Sequence, residues 1–295
     1  MKASILLAAA GLFLAGCAQL PQQPGERIIE VASGRELSRA ELLAKLRSSD
    51  YVLLGERHDN AVHHQRRGEL LQALGVDAPV VAEHLTRGQR VPAQGELLPR
   101  LEAAGFEAKA WAWPLHEPLF APAAAPGHRL LGGNVPRELA RQVARQGEAA
   151  LPPELKTVTT SAPLDAAAAQ ALDADLVQGH CGMLGGERLA GMRWAQRARD
   201  AAMWLSLKEA AALGRPAVLL AGNGHVRLDY GVPQLARQDQ PAARLLSLGF
   251  VESASPLQGA PYDYVWITAA PSGRGDPCAG MPLPTVPTPT PPPRP

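Results

Sequence analysis

Short, unbroken apolar runs punctuate the chain, and most of them end on glycine. Tyr51-Val52-Leu53-Leu54 runs into Gly55, Leu130-Leu131 into Gly132, Gly133 and Asn134, and Ala217-Val218-Leu219-Leu220 toward Gly222, while Pro79-Val80-Val81-Ala82 stops at Glu83. Hydrophobicity that is continuous over four residues, instead of alternating, marks a strand buried on both faces. Between these runs the period lengthens. Ser38-x-x-Glu41 ahead of LLAKL predicts a helix opened by a capping box. The stretch 60–74 predicts a second helix, with Leu70, Leu71 and Leu74 near its end and Gly75 as its stop. Pro136 predicts the start of a third, because proline's missing N–H costs least in a first turn. From Leu151 to Leu213 no comparable strand occurs. Leu164, Ala168, Leu172 and Leu176 recur at every fourth position, and Leu189 to Leu213 is Ala-rich without proline, so this stretch predicts an insertion of two or more helices. Phe250-Val251 and Tyr264 to Ile267 predict late edge strands. The fold class that follows is α/β: a mostly parallel sheet flanked by helices, with a helical insertion over about 151–213.

Both ends break the pattern. Lys2, the apolar run from Ile5 to Leu14 and Leu14-Ala15-Gly16-Cys17 read as an export signal over 1–16. The run falls short of the roughly 20 apolar residues of a membrane span. LAGC resembles a bacterial lipobox, which makes Cys17 the expected lipidation site; in a plain secretory signal that cysteine is incidental. Ala18 in place of Asp favours the outer membrane, where the protein would be lipid-anchored and face the periplasm or the surface. A linker over 17–27 leads into an α/β domain over 28–270. Beyond 271 the chain becomes a tail, and Met281 to Pro295 holds eight prolines in fifteen residues, the composition of an extended polyproline-like segment.

Charge narrows the function classes. With 29 basic and 28 acidic residues the net charge is +1, which supplies no field for nucleic acid, so that partner is set aside. Of three cysteines, lipidation of Cys17 leaves Cys181 and Cys278. In an exported chain one disulfide between them is the natural reading, two buried free thiols being the other.

The chemistry concentrates in a device used twice. Gly55-Glu56-Arg57-His58 and Gly222-Asn223-Gly224-His225 each follow a buried strand, and Glu83 follows a third. In a parallel sheet the carboxyl ends of strands form the ligand-binding edge, where glycine lets the backbone turn and approach a ligand. Two histidines and a carboxylate brought there can hold a transition metal or position a water for acid–base work. Satisfied surface or core histidines are the plainer reading of either motif alone.

At this point the residues resemble a family. LLGERHDNAVHHQ (53–65), GNVPREL (133–139), HCGML (180–184), Arg199 to Met203, LLAGNGHVRLDYGVP (219–233) and DPCAGM (276–281) resemble the ChaN family of haem-binding lipoproteins, within the wider Tiki and TraB superfamily. The resemblance implies a parallel sheet with added helices, export or lipid anchoring, and a part in haem or iron uptake. Tiki relatives are metal-dependent proteases, and other relatives have hydrolase-like sites. Carried over by position, the superfamily site falls on Glu56, His58, Glu83 and His225, with His58, Glu83 and His225 as the metal set. His84 stands where an apolar residue is expected in relatives.

For haem, the candidate residues are His58, His64, Tyr230, Arg227 and Asn134. Tyr230 would be an axial ligand, or else a packed turn residue. Arg57 and Arg227 would meet propionates, or else water. Asn134 would offer an amide to an anion, or simply turn the chain. His63 and His64 lie on the helix after the first motif, one turned over the strand ends or both exposed. Trp111, Trp113 and Phe120 would wall a macrocycle or form a small core. Arg199, Asp200 and Met203 read as structural. Two functions remain in play. One is a membrane-anchored haem- or iron-binding lipoprotein of an uptake system, whose partners are haem, the membrane, a second copy and an uptake receptor. The other is a metal-dependent hydrolase using a divalent ion, with Glu56 or Glu83 as general base. No G-x-S-x-G elbow or HExxH motif supports the second.

Overall fold

The computed structural model describes residues 25–252, 257 and 259–281; the export signal, Cys17 and residues 282–295 lie outside them. The strands are β1 (Arg27–Glu30), β2 (Glu36–Leu37), β3 (Tyr51–Leu54), β4 (Val80–Thr86), β5 (Leu130–Asn134), β6 (Ala217–Leu220), β7 (Leu245–Glu252) and β8 (Tyr264–Thr268). The helices are α1 (Arg39–Arg47), α2 (Ala61–Leu74), α3 (Leu97–Ala103), α4 (Glu117–Ala123), α5 (Arg137–Gln146), α6 (Pro153–Ser161), α7 (Ala166–Gly179), α8 (Gly186–Ala211) and α9 (Val232–Asp239). All eight strands form one sheet in the order β2-β1-β8-β7-β3-β6-β4-β5. The six from β8 to β5 run parallel, and β1 adds antiparallel to β8 and to β2.

The local signals work as the chemistry requires. Ser38 Oγ accepts from the Glu41 amide at 3.2 Å while Glu41 Oε2 accepts from the Ser38 amide at 2.8 Å, the reciprocal box that opens α1. Asn60 caps α2 through Val62 N, and Gly75 ends it. Because the parallel strands are buried on both sides, the sheet divides two cores. Leu53, Val81 and Leu219 face α5, α6, α8 and α9, whereas Val52, Leu54, Val80 and Leu220 face α1 to α4.

Helix α8, inside the expected insertion, forms the main cover of its face. Its buried alanines 195, 198, 201, 202 and 210 let it lie close to the strands, and Trp204 packs edge-on against Tyr51 at 5.1 Å. No strand separates β5 from β6, as the four-residue period implied. A disulfide joins Cys181, just past α7, to Cys278 beyond β8, with Cα atoms 5.5 Å apart. No helix among the described residues is long and apolar enough to cross a membrane.

Two expectations need correction. β7 and β8 are interior strands, because β1, a four-residue RIIE segment with no glycine to mark it, adds beyond β8; the sheet edges are β2 and β5. β4 does not stop at Glu83. Its pairing with β6 ends at Ala82, but the strand continues through Glu83 and His84 to Thr86, with an irregular register against β5. Glu83 and His84 therefore point to opposite faces of the sheet.

Candidate functional site

The two Gly-x-x-His motifs meet because their strands are neighbours. β3 pairs β6 in register, Leu54 opposite Leu220, so Gly55 and Gly222 leave the sheet side by side. Each glycine makes room for the other motif. A Cβ on Gly55 would collide with the side chain of Asn223, and one on Gly222 would stand 2.8 Å from His58 Nε2. His58 lies at the opening, its side chain 43% exposed.

On the α8 side of β4, Glu83 is the centre. Its Oε2 accepts from the Gly222 amide at 2.7 Å and lies 3.9 Å from His58 Nε2; its Oε1 lies 3.4 Å from His225 Nε2. His225 Nδ1 in turn meets Asp200 Oδ1 at 2.6 Å. Burial acts to lower the His225 pKa, but the carboxylates of Glu83 and Asp200 on either side overcome it and push it up to about 10. Burial acts to raise Glu83, and the pull of His225 holds it well below the usual carboxylate range. Buried Asp200 is raised, with His225 opposing. His225 is thus an imidazolium clamped between two carboxylates. Each carboxylate faces one of its ring nitrogens.

On the α2 and α4 side, Glu56 is the centre. Oε1 lies 2.6 Å from His58 Nδ1, 3.0 Å from His84 Nε2 and 3.8 Å from His116 Nε2. Oε2 meets the guanidinium of Arg67 and lies 3.2 Å from His64 Nε2. All of these except His58 are buried. His64 donates from Nδ1 to the Leu115 carbonyl and stacks on His116 with ring centres 3.9 Å apart. Burial pushes His64 down to about 4, His116 to about 3 and His84 well below its ordinary value, so these imidazoles are neutral at pH 7. Glu56, His58, His84 and His116 offer four donor atoms within 4.8 Å of one another.

A pocket of about 280 Å³ opens beside these clusters, lined by Glu83, His84, Trp111, Asn134, Arg137 and Arg199 among others. The Trp111 ring lies 5.1 Å from that of His58 and 4.3 Å from that of His84. Asn134 Oδ1 accepts from Arg199 at 3.2 Å, and among the described residues Arg199 makes no ion pair with a carboxylate.

Other expected site residues lie elsewhere. Tyr230 is buried, and its hydroxyl donates to Asp175 Oδ2 at 2.5 Å. Burial and that bond push its pKa up, the wrong direction for a tyrosinate. Arg227 caps the Tyr230 ring at 4.6 Å and is spent on Asp175 and Asp229. Arg57 is exposed and 3.8 Å from Glu252. His63 is buried, bridging the Arg57 amide and Thr268, with burial lowering its pKa to about 3. Trp113 and Phe120 pack on Phe106 in the core, so of the three aromatics only Trp111 reaches the pocket. Sequence reading missed Arg67 and the ligand-like position of His116, and took Asp200 as structural although it holds His225.

The family described as haem-binding uptake, Tiki superfamily, ChaN matches residues 42–235. Among solved structures, ChaN of Campylobacter jejuni, characterised by cofacial haem binding, is similar with a TM-score of 0.66 at 18% identity, over 84% of this chain and 99% of that one. At that identity the likeness speaks for the fold. No curated protein matches the sequence.

Proposed function

The chain belongs to the haem-binding uptake family ChaN of the Tiki superfamily, and from that membership we propose that it binds haem through His58 and serves haem or iron uptake from a lipid anchor at Cys17. The observation that carries the reading is the state of His58. Its Nδ1 is engaged by the buried Glu56 carboxylate at 2.6 Å, which fixes the tautomer and leaves Nε2 with a free lone pair at the opening. The absent Cβ of Gly222 keeps the space beside that nitrogen clear. Haem would supply an iron centre, and His58 would hold it through that nitrogen.

Around it, this chain's residues bind and orient. Trp111 offers an apolar wall to a flat macrocycle. Arg199, positioned by Asn134, supplies a guanidinium free for a propionate, in the part first expected of Arg227. A second copy facing the same open cleft is the partner suggested by the cofacial haem binding of the Campylobacter jejuni protein. An outer-membrane location and an uptake receptor complete the proposal, on the lipobox-like LAGC ending and Ala18.

A hydrolase would need a free base beside a metal-held water. Glu83 is already engaged by the Gly222 amide and by His225, which favours binding over hydrolysis. Hemin titration of the purified apoprotein, followed in the Soret region, tests the proposal. A saturable band is expected in the parent, weakened at least tenfold by His58→Ala and unmoved by Tyr230→Phe. A parent that fails to bind above the His58→Ala background refutes it.

A further inference from the structure

We propose an inner metal site: a divalent transition ion held by Glu56 Oε1, His84 Nε2, His116 Nε2 and His58 Nδ1, on the α2 and α4 side of β4. This set shares only His58 with the paired-motif set His58, Glu83 and His225. Two of the four, His84 and His116, lie outside the Gly-x-x-His motifs altogether.

The first argument is geometric. A tetrahedral ion with bonds of 2.0–2.1 Å places its donor atoms about 3.4 Å apart. Measured from Glu56 Oε1, the three nitrogens lie at 2.6, 3.0 and 3.8 Å, so the separations straddle that value. All four donors fit within a 4.8 Å span.

The second argument is hydrogen-bond accounting. One carboxylate oxygen has two lone pairs and cannot serve three imidazoles. The shortfall is visible: Nε2 of His116, 3.8 Å from Glu56 Oε1, and Nδ1 of His84 are buried with no hydrogen-bond partner. Such groups cost free energy when left unpaired. An ion at the focus of the nitrogens would satisfy His116 Nε2 and relieve the crowding at Oε1 together.

The surroundings suit a ligand set. The Arg67 guanidinium meets Oε2, which leaves Oε1 facing the imidazoles. Three imidazoles and one carboxylate are the donor chemistry of zinc, cobalt or nickel; magnesium and calcium prefer all-oxygen sites.

One consequence rests on the haem reading above. A neutral imidazole carries one N–H and one lone pair. When His58 gives its Nδ1 lone pair to the inner ion, its proton moves to Nε2, and Nε2 can no longer bind iron. Inner metal and haem on His58 therefore exclude each other.

The test is a titration of the full apoprotein with cobalt chloride, read by the visible d–d bands of tetrahedral cobalt and by metal stoichiometry. One ion per chain is expected, with affinity reduced at least tenfold in His84→Asn and in His116→Gln, each checked for folding by circular dichroism. Absence of saturable binding in the parent overturns the site whatever the variants do. Binding retained in both folded variants overturns it too, as does binding lost in His225→Asn but kept in His84→Asn. Hemin is then titrated with and without zinc. Weaker hemin binding with zinc supports the shared histidine; equal binding in a protein that takes up both removes His58 from the inner site. If hemin does not bind at all, the haem reading fails while the cobalt result stands.

Discussion

Raising the pH from 7 to 9 should destabilise this protein through one residue, His225. Its folded pKa of about 10 lies above the ordinary 6.5, so the folded chain keeps a proton that the unfolded chain has lost. The stability this contributes is fully present below 6.5 and disappears as the pH rises toward 10. In that window each pH unit removes about 1.4 kcal/mol, or about 3 kcal/mol between pH 7 and 9. Other shifted groups act outside the window. His63, His64, His84 and His116 are depressed and act below 6.5. Tyr230 and Tyr262 are raised and act above 10. Arg67, pushed down to about 9 by burial, begins to oppose the trend only above that pH. Urea unfolding of the parent and of His225→Asn at pH 7, 8 and 9 separates the effect. The parent should lose stability steeply, and the variant, weaker at pH 7, should be nearly flat, so that the two curves converge. Parallel pH dependence, or a flat parent, would refute the clamped imidazolium between Asp200 and Glu83.

The remaining predictions concern other parts of the molecule. Replacing Cys181 and Cys278 by serine opens a loop of 97 residues, for which chain entropy gives about 4 to 5 kcal/mol, a loss of roughly 10–15 °C in Tm measurable by calorimetry. On the acid side the sign reverses: His63, His64 and His116 are buried neutral, so the unfolded chain takes up their protons first. Each should remove about 1 kcal/mol between pH 6.5 and 5.5, read from urea midpoints at the two values. Gly222→Ala places a methyl 2.8 Å from His58 Nε2 and should weaken hemin about tenfold while the fold survives by circular dichroism. Cys17→Ser should move the protein from membrane to soluble fractions; unchanged fractionation would rule out the anchor.

What the sequence made legible was what local physics encodes. The runs at 51–54 and 217–220 read as doubly buried strands, and Ser38, Asn60 and Gly75 fixed helix ends through bonds to their own neighbours. The pairing of the two motifs was legible too, as a repeated glycine at strand ends. Contacts set by topology were not. Nothing near Asp200 announces His225, and nothing near His116 announces Glu56, because sheet order brings them together from 25 and 60 residues away. Helix α2 misled for another reason. Its inward face carries His63, His64, Arg66 and Arg67, which any apolar-periodicity argument assigns to water, and they are buried only because Glu26, Glu56, Glu69 and Thr268 receive them. Tyr230 misled by scarcity, a rare aromatic beside a motif that turned out to be committed to Asp175.

The extension of β4 past its pairing with β6 also bears on how this protein can change over generations. Glu83 and His84 are joined by one peptide bond yet belong to two neighbourhoods, one furnished by α8 and the other by α2 and α4. Substitutions in α8 can retune the first without disturbing the second, and changes in α2 or α4 do the converse, so a lineage can explore either separately. Only two kinds of event couple them. Replacing His58, which touches both carboxylates, alters the two at once. Inserting or deleting a single residue between Ala82 and His84 would swap which neighbourhood receives the acid and which the imidazole, losing both in one step.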